Sequence, residues 1–102
     1  MKFLVLVSPK HPVPPAMMPD LIEAMNAWAR QHTGSGAIES IWANAGTAGG
    51  GGIANVNSLE ELDAVMTGFP FTPFSDIEIR PMTDFFGAMG RLAEVARAAA
   101  TP

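Results

Sequence analysis

Three side chains in the first quarter of the sequence have the functional groups needed to move a proton beside a carbonyl. Lys10 and His11 are adjacent in a proline-rich stretch, and Glu23 follows in a segment with helical periodicity. A carboxylate in apolar surroundings can take a proton from the carbon next to a carbonyl, and a cation can hold a substrate carboxylate or a developing enolate. We therefore predict Lys10 and Glu23 as catalytic residues and His11 as a substrate-binding residue. The alternative is that all three are solvated surface side chains.

Four more candidate substrate-binding residues lie in or beside a glycine-rich stretch. If Asn44 faces a pocket, its side-chain amide can donate a hydrogen bond to a carbonyl. The ring of Trp42 would form a wall, although a tryptophan that shares a strand face with Ile38 and Ser40 is more often part of the core. The predicted substrate-binding residues of this stretch are Trp42, Asn44, Thr47 and Gly51.

The run of four glycines from Gly49 to Gly52 predicts a strand without side chains rather than a phosphate-binding loop. A Walker loop needs a lysine followed by serine or threonine, and a dinucleotide-binding loop needs a helix after it, whereas here a strand follows. Glycine weakens a strand by roughly 0.5–1 kcal/mol relative to alanine, so we expect a bulge or the close approach of a ligand or another backbone. Because strand side chains alternate, we predict a widened pocket on one face and tight packing on the other.

Two carboxylates alternate with apolar residues in the last predicted strand. Asp76 and Glu78 belong to one face, and Ile77 and Ile79 to the other. One interpretation makes the carboxylates catalytic groups that face a pocket. The other places them on a wet or subunit-contacting face, paired with Arg80, and we favour this architectural interpretation.

The composition indicates one globular domain over residues 1–102. Hydrophobic residues make up 48% and charged residues 16% of the chain, which is typical of a packed domain rather than a disordered one. Such a low charged fraction suggests that another subunit covers part of the apolar surface. The net charge is −4 and the sequence has no lysine or arginine cluster, so we expect no nucleic-acid or anionic-membrane partner.

A metal site is not expected. The sequence has no cysteine, and its two histidines, His11 and His32, are separated by a whole helix, which is a poor ligand set for a metal. The apolar core of the amino-terminal segment, Phe3 to Val7, is too short for a signal peptide, and no run reaches transmembrane length. We therefore predict a soluble cytoplasmic protein.

Hydrophobic periodicity predicts the element order β-α-β-β-α-β followed by a C-terminal helix, which is the ferredoxin-like plan of the α+β class. The predicted strands are KFLVLV, AIESIWAN, a strand ending in GIANV, and SDIEIR. The first helix is expected to end at Gly34 and Gly36. A capping box of Ser58 and Glu61 opens the second helix. The last helix is predicted from about Thr83 to Ala99.

In this plan both internal helices pack on one face of a four-stranded antiparallel sheet. The first strand is apolar on both faces, so the opposite face of the sheet also needs a cover. In a chain of 102 residues, a second copy is the simplest cover. We therefore predict a homo-oligomer, either a dimeric α+β barrel or a larger ring.

The order of elements and several local motifs resemble the muconolactone Δ-isomerase family. The proline-aromatic run FPFTPF leading into SDIEI is the most specific of these motifs. The matching pieces are the MKF…K and PV of Met1 to Val13, the W…AG of Trp42, Ala45 and Gly46, the V.S.E.L of Val56 to Leu62, and Phe69 to Ile79. The resemblance implies a pocket between sheet and helices, and movement of a proton in a small unsaturated lactone without metal or organic cofactor. Lys10 also matches a lysine of the family.

The chain departs from the family pattern at two places. Thr47 and Ala48 stand where the resemblance implies a His-Tyr pair after the hairpin. The resemblance also implies a first helix rich in acidic and lysine residues, whereas here Glu23 is its only carboxylate after Asp20. Two other hypotheses therefore stay open. One is a cofactor-free monooxygenase or polyketide cyclase of the dimeric α+β barrel type, and the other is a non-catalytic ligand-binding or structural oligomer.

Overall fold

The structure is a computed structural model that describes residues 1–101. Its order of elements confirms the predicted ferredoxin-like α+β plan with an added C-terminal helix. The strands are Lys2–Pro9 (β1), Ile38–Ala43 (β2), Gly50–Asn55 (β3) and Ser75–Met82 (β4), and the helices are Met18–Ser35 (α1), Leu59–Thr67 (α2) and Phe85–Ala100 (α3). Short 3₁₀ turns at Pro15–Met17 and Thr72–Phe74 lead into α1 and β4.

The four strands form one antiparallel sheet in the order β2-β3-β1-β4. The first strand is therefore central, with β3 on one side and β4 on the other. Phe3 and Val5 of β1 are buried beneath the helices, whereas Leu4 and Leu6 point to the opposite face and stay partly exposed. This pattern explains why the sequence of β1 is apolar without alternation.

Trp28 is the centre of the packing between α1, α2 and the sheet. Its indole Nε1 donates a hydrogen bond to the carbonyl oxygen of Val65 at 3.0 Å, and its ring meets the ring of Phe69 edge-on at 5.1 Å. One buried side chain thus joins α1 to α2 and to the segment after α2. The buried apolar residues are Phe3, Val5, Trp28, Ala37, Ile38, Ala54, Val56, Leu62, Val65 and Phe69.

Local side-chain and backbone chemistry sets the ends of α1 and α2. Gly36 ends α1 in the left-handed region with a φ of 85°, but the prediction that Gly34 also ends it is wrong, because Gly34 lies within the last turn. Ser58 caps α2 by accepting a hydrogen bond from the Glu61 N–H at 3.1 Å. The Glu61 carboxylate in turn accepts from the Asn57 N–H at 2.8 Å, so the predicted capping pair is present.

The C-terminal helix begins two residues later than predicted. Asp84 is its N-cap and accepts a hydrogen bond from the Gly87 N–H at 2.7 Å, so Thr83 stays outside the helix. The helix then runs to Ala100 and buries none of its residues. The described chain is consequently elongated, with extents of 67 × 27 × 23 Å.

A bulge in β2 changes which residues share a face. Ile38 lies opposite Ala54 and Ser40 lies opposite Ile53, so Glu39 is an extra residue in β2. The prediction that Trp42 shares a face with Ile38 is therefore wrong. Trp42 does share a face with Ser40, on the side of the sheet away from α1 and α2.

We expect Trp28→Phe to lower the free energy of unfolding by about 1–3 kcal/mol, because the Val65 carbonyl loses its indole donor. Trp42→Phe is the matched control, since Trp42 is 41% exposed and should change stability by less than about 0.5 kcal/mol. Urea unfolding followed by far-ultraviolet circular dichroism measures both variants. Equal losses in the two variants would contradict the central role of Trp28.

Candidate active site

A cleft of about 500 Å³ lies between the sheet and the helices α1 and α2. Its walls are almost entirely apolar, and its volume is in the range of sites that hold small organic ligands. Wall residues from the three elements include Val5, Val7, Met25, Trp28, Val65 and Met66. The pocket that the family resemblance implies is therefore present in this chain.

Glycines of β3 line the floor of the cleft. Gly52 pairs with Val5 and Gly50 pairs with Val7 in the sheet, and both valines are on the helix-facing side. Gly50 and Gly52 therefore leave the helix-facing side of β3 without side chains, and the space above them belongs to the cleft. A Cβ at Gly50 would meet the Trp42 carbonyl oxygen, so the neighbouring backbone also requires a glycine there.

Gly51 makes room for a side chain on the opposite face of the sheet. A Cβ at Gly51 would lie 2.6 Å from Cζ2 of the Trp42 indole and 2.7 Å from the Val5 carbonyl oxygen. The indole therefore lies directly over the glycine on the face away from the helices. This tight packing opposite an emptied face is the arrangement that the glycine run predicts.

The hairpin between β2 and β3 uses its polar groups internally. The Asn44 N–H donates to the Gly49 carbonyl oxygen at 2.9 Å, and the Asn44 side-chain amide donates to the Ala48 carbonyl oxygen at 3.4 Å. Gly49 has a φ of 96°, which a residue with a Cβ rarely adopts. Neither Asn44 nor Thr47 lines the cleft, so their predicted binding roles gain no support from the geometry.

His11 is the only residue with a titratable side chain that lines the cleft within the part of the chain that the structure describes. Its backbone N–H donates to the Phe74 carbonyl oxygen at 3.1 Å, and the Lys10 N–H donates to the same oxygen at 2.9 Å. These bonds fix the loop after β1 against the turn before β4. The exposed imidazole is therefore held at the mouth of an apolar cleft.

The two predicted catalytic residues lie outside the cleft of a single chain. The Nζ of Lys10 is 3.5 Å from Oδ1 of Asp76, in an exposed ion pair. Glu23 is exposed on α1 and does not line the cleft. The structure thus brings His11 to the cleft but neither Lys10 nor Glu23. Trp42 and Gly51 border the cleft from β2 and β3, although the indole of Trp42 lies on the opposite face of the sheet.

The carboxylates of β4 lie on the face away from the helices. Asp76 pairs with Ser8 and Glu78 pairs with Leu6 in the sheet, so both alternate with the helix-facing Ile77. Arg80 donates to the Glu78 carboxylate from Nε at 2.9 Å and from Nη2 at 2.7 Å. The geometry therefore fits the architectural interpretation of these residues.

Two further observations concern metals and membranes. Among residues 1–101, the structure has no group of three or more histidine, aspartate or glutamate side chains placed to hold a metal ion. No helix in the same range is both long enough and apolar enough to cross a membrane.

Several wall residues escaped the sequence prediction of the site. Met18 and Met66 line the cleft together with Phe71 and Phe74. The sequence signal for the two phenylalanines was the proline-aromatic run FPFTPF, which lies between α2 and β4. The two methionines belong to apolar stripes with helical spacing. Such a stripe does not distinguish a core residue from a residue of the cleft wall.

Comparison with known proteins places the chain beside one group of enzymes. A sequence model described as muconolactone delta-isomerase matches residues 1–87. Among solved structures, the chain is similar to a muconolactone isomerase known from a crystal structure at 3.3 Å resolution, with 27% sequence identity and a TM-score of 0.74. This similarity covers 82% of the present chain and 90% of the other. Among curated proteins, no sequence gives a significant match.

We expect Gly51→Val to destabilise the fold by about 1–3 kcal/mol, because the new side chain meets both the Trp42 ring and the Val5 carbonyl. In a Trp42→Ala background the loss should shrink by at least about 0.5 kcal/mol, since one of the two obstacles is gone. Chemical unfolding of the four proteins of this cycle measures the coupling.

Gly34→Ala is the control for this cycle, because a Cβ at Gly34 meets no atom within 4 Å. It should leave stability unchanged or raise it by up to about 1 kcal/mol. If Gly51→Val changed the free energy of unfolding as little as Gly34→Ala, the position of the Trp42 indole would not depend on a glycine at position 51.

Proposed function

Because the chain belongs to the muconolactone delta-isomerase family, we propose that it is a cofactor-independent isomerase. Its substrate would be an unsaturated lactone or a related compact acid, within which it moves a proton. The observation that carries this proposal is an apolar cleft whose single titratable lining group, within residues 1–101, is the imidazole of His11. The similarity to a muconolactone isomerase over 82% of the chain supports the same class of reaction.

The proposed reaction is a 1,3-proton shift, which a single base can carry out. The unprotonated imidazole of His11 takes the proton from the gamma carbon of an α,β-unsaturated lactone, and the electron pair of that C–H bond moves into the conjugated enolate. The imidazolium then returns the proton to the alpha carbon, so one C–H bond breaks, another forms and the double bond moves. The apolar walls keep water away from the enolate while the proton is on the imidazole.

Lys10 and Glu23 remain the competing assignment for the catalytic roles. Lys10 is next to His11, and its ammonium group would hold a substrate carboxylate at the mouth of the cleft after leaving Asp76. Glu23 would serve as the base only if a substrate or a second subunit extended the site to the exposed side of α1. Experiment separates these roles from that of His11.

A second candidate function is ligand binding without catalysis. The specific observation in its favour is the same shortage of acid and base groups, because no carboxylate lines the cleft anywhere in residues 1–101. In that case the cleft would hold a compact apolar ligand, and His11 would contribute a hydrogen bond.

We also propose that the chain is a soluble, cytoplasmic, single-domain protein that self-associates as in a dimeric α+β barrel. The support for self-association is the uncovered sheet face, on which Leu4, Leu6 and Ile53 stay partly exposed and Trp42 is 41% exposed. A second sheet packed on this face would remove those apolar side chains from water.

We expect His11→Ala to lower kcat for isomerisation of muconolactone by about 10²–10⁴-fold, the usual contribution of a positioned acid or base. His32→Ala is the matched control, because His32 packs edge-on against Trp28 at 5.2 Å and does not line the cleft. Steady-state kinetics on folded variants provide the measurement, with Lys10→Ala and Glu23→Ala assayed in parallel.

Activity that survived in His11→Ala but was lost in Lys10→Ala or Glu23→Ala would shift the catalytic role to those residues. Calorimetric binding of muconolactone to the wild-type protein, with no turnover, would replace the isomerase proposal by the ligand-binding one.

A single base in an apolar cleft also predicts transfer of the proton within the substrate. With a lactone deuterated at the gamma carbon, part of the deuterium should appear at the alpha carbon of the product, as measured by mass spectrometry and nuclear magnetic resonance. Complete exchange with solvent in the first turnover would indicate two separate groups or an open site.

A further inference from the structure

The polar side chains of the cleft are confined to one end of it. Apart from two indole groups, His11 and Ser75 supply all the polar side chains among its lining residues in the described range 1–101. Ser75 pairs with Pro9 in the ladder between β1 and β4, and His11 follows Pro9 by two residues. The His11 N–H donates to the carbonyl oxygen of Phe74, the neighbour of Ser75. Both side chains therefore lie where β1 ends and β4 begins.

The rest of the cleft is apolar over a considerable length. Pro9, Val7 and Val5 all line it from β1, and a rise of four strand residues spans about 13 Å. The indole Nε1 of Trp28 in the wall already donates to the Val65 carbonyl oxygen. A lactone ring held at the polar end would therefore leave most of this length, and most of the 500 Å³, for an apolar substituent.

The cleft lacks a charged group that could balance a ligand carboxylate in its interior. No lysine, arginine, aspartate or glutamate among residues 1–101 lines it. The nearest lysine in the sequence, Lys10, lies instead 3.5 Å from Asp76, whose strand position faces away from the helices. A carboxylate moved into the interior would lose its hydration without gaining a cation, which is costly. A methylene moved to the same place would improve binding.

We propose that the cleft binds an uncharged lactone with an apolar side chain of several carbons, and that it selects against lactones whose side chain ends in a carboxylate. The lactone ring lies at the polar end, beside His11 and Ser75, and the side chain extends along β1 over the glycines of β3. This inference rests on the proposed isomerase for its lactone ring. It narrows the substrate class from lactones and compact acids to neutral lactones.

The first experiment measures binding of saturated lactones, which have no double bond to move. Two γ-lactones are compared by isothermal titration calorimetry at pH 8, one with a pentyl side chain and one with a 4-carboxybutyl side chain of equal carbon count. The pentyl lactone should bind at least about tenfold more tightly. Shortening its side chain should weaken binding by up to about fourfold for each methylene removed. Equal or tighter binding of the carboxylated lactone, or no detectable binding of the pentyl lactone, would overturn the proposal.

A matched pair of variants tests whether the lining of the cleft causes the selection. Met18 lines the cleft and is 36% exposed, whereas its neighbour Met17 is 45% exposed and does not line it. Met18→Lys should raise the affinity for the carboxylated lactone by about fivefold, because it adds a cation beside the cleft. Met17→Lys should leave that affinity unchanged. No gain in Met18→Lys, or the same gain in both variants, would count against the proposal.

Turnover is measured separately, with the α,β-unsaturated form of the pentyl lactone. Its kcat/KM should exceed that of muconolactone, whose side chain ends in a carboxylate, by at least about tenfold. Tight binding of the saturated pentyl lactone without turnover of the unsaturated form would refute the isomerase and leave the neutral ligand class in place. A preference for the carboxylated lactone that disappeared in Lys10→Ala would overturn the neutral ligand class and leave the isomerase in place.

Discussion

The backbone of β3 lies very close to the backbones of its neighbours β1 and β2. The cleft and the opposite face of the sheet both depend on this constraint. Because Gly50 and Gly52 have no side chains, the helix-facing side of the strand is left open and the cleft can reach the sheet. Because Gly51 has none either, the indole of Trp42 can lie over the strand on the other side. A side chain at any of these positions would meet backbone atoms of a neighbouring strand. The run of three glycines therefore determines the shape of both faces of the sheet.

The fold could be predicted from the sequence because each element carries its own local signal. The unbroken apolar run of β1, the strict alternation of β4 and the cap at Ser58 all depend on neighbours within a few residues. The bulge at Glu39 was not predictable, because it is visible only in the pairing of β2 with β3 and no glycine or proline marks it within AIESIWAN. That one extra residue reversed the face assigned to Ile38 relative to Trp42.

The site was less predictable than the fold because it depends on where long side chains end. Lys10 and His11 are adjacent in the sequence, yet Lys10 reaches Asp76 on the outside while His11 lines the cleft. A difference of this kind comes from the loop's bonds to Phe74, which no periodicity reveals. The charge of Glu23 likewise indicated chemistry, but its place on α1 puts it in solvent.

The two sides of the cleft differ in how readily they deform. Met18, Met25 and Met66 line its helical side with unbranched, rotatable thioether chains, which adjust to fill irregular space. The floor is sheet backbone at Gly50 to Gly52, held by ladder hydrogen bonds on both sides. A ligand substituent that pointed toward the helices would therefore meet side chains that can rotate. A substituent that pointed toward the sheet would meet backbone that cannot rotate away, so the floor of the cleft is a rigid surface without side chains.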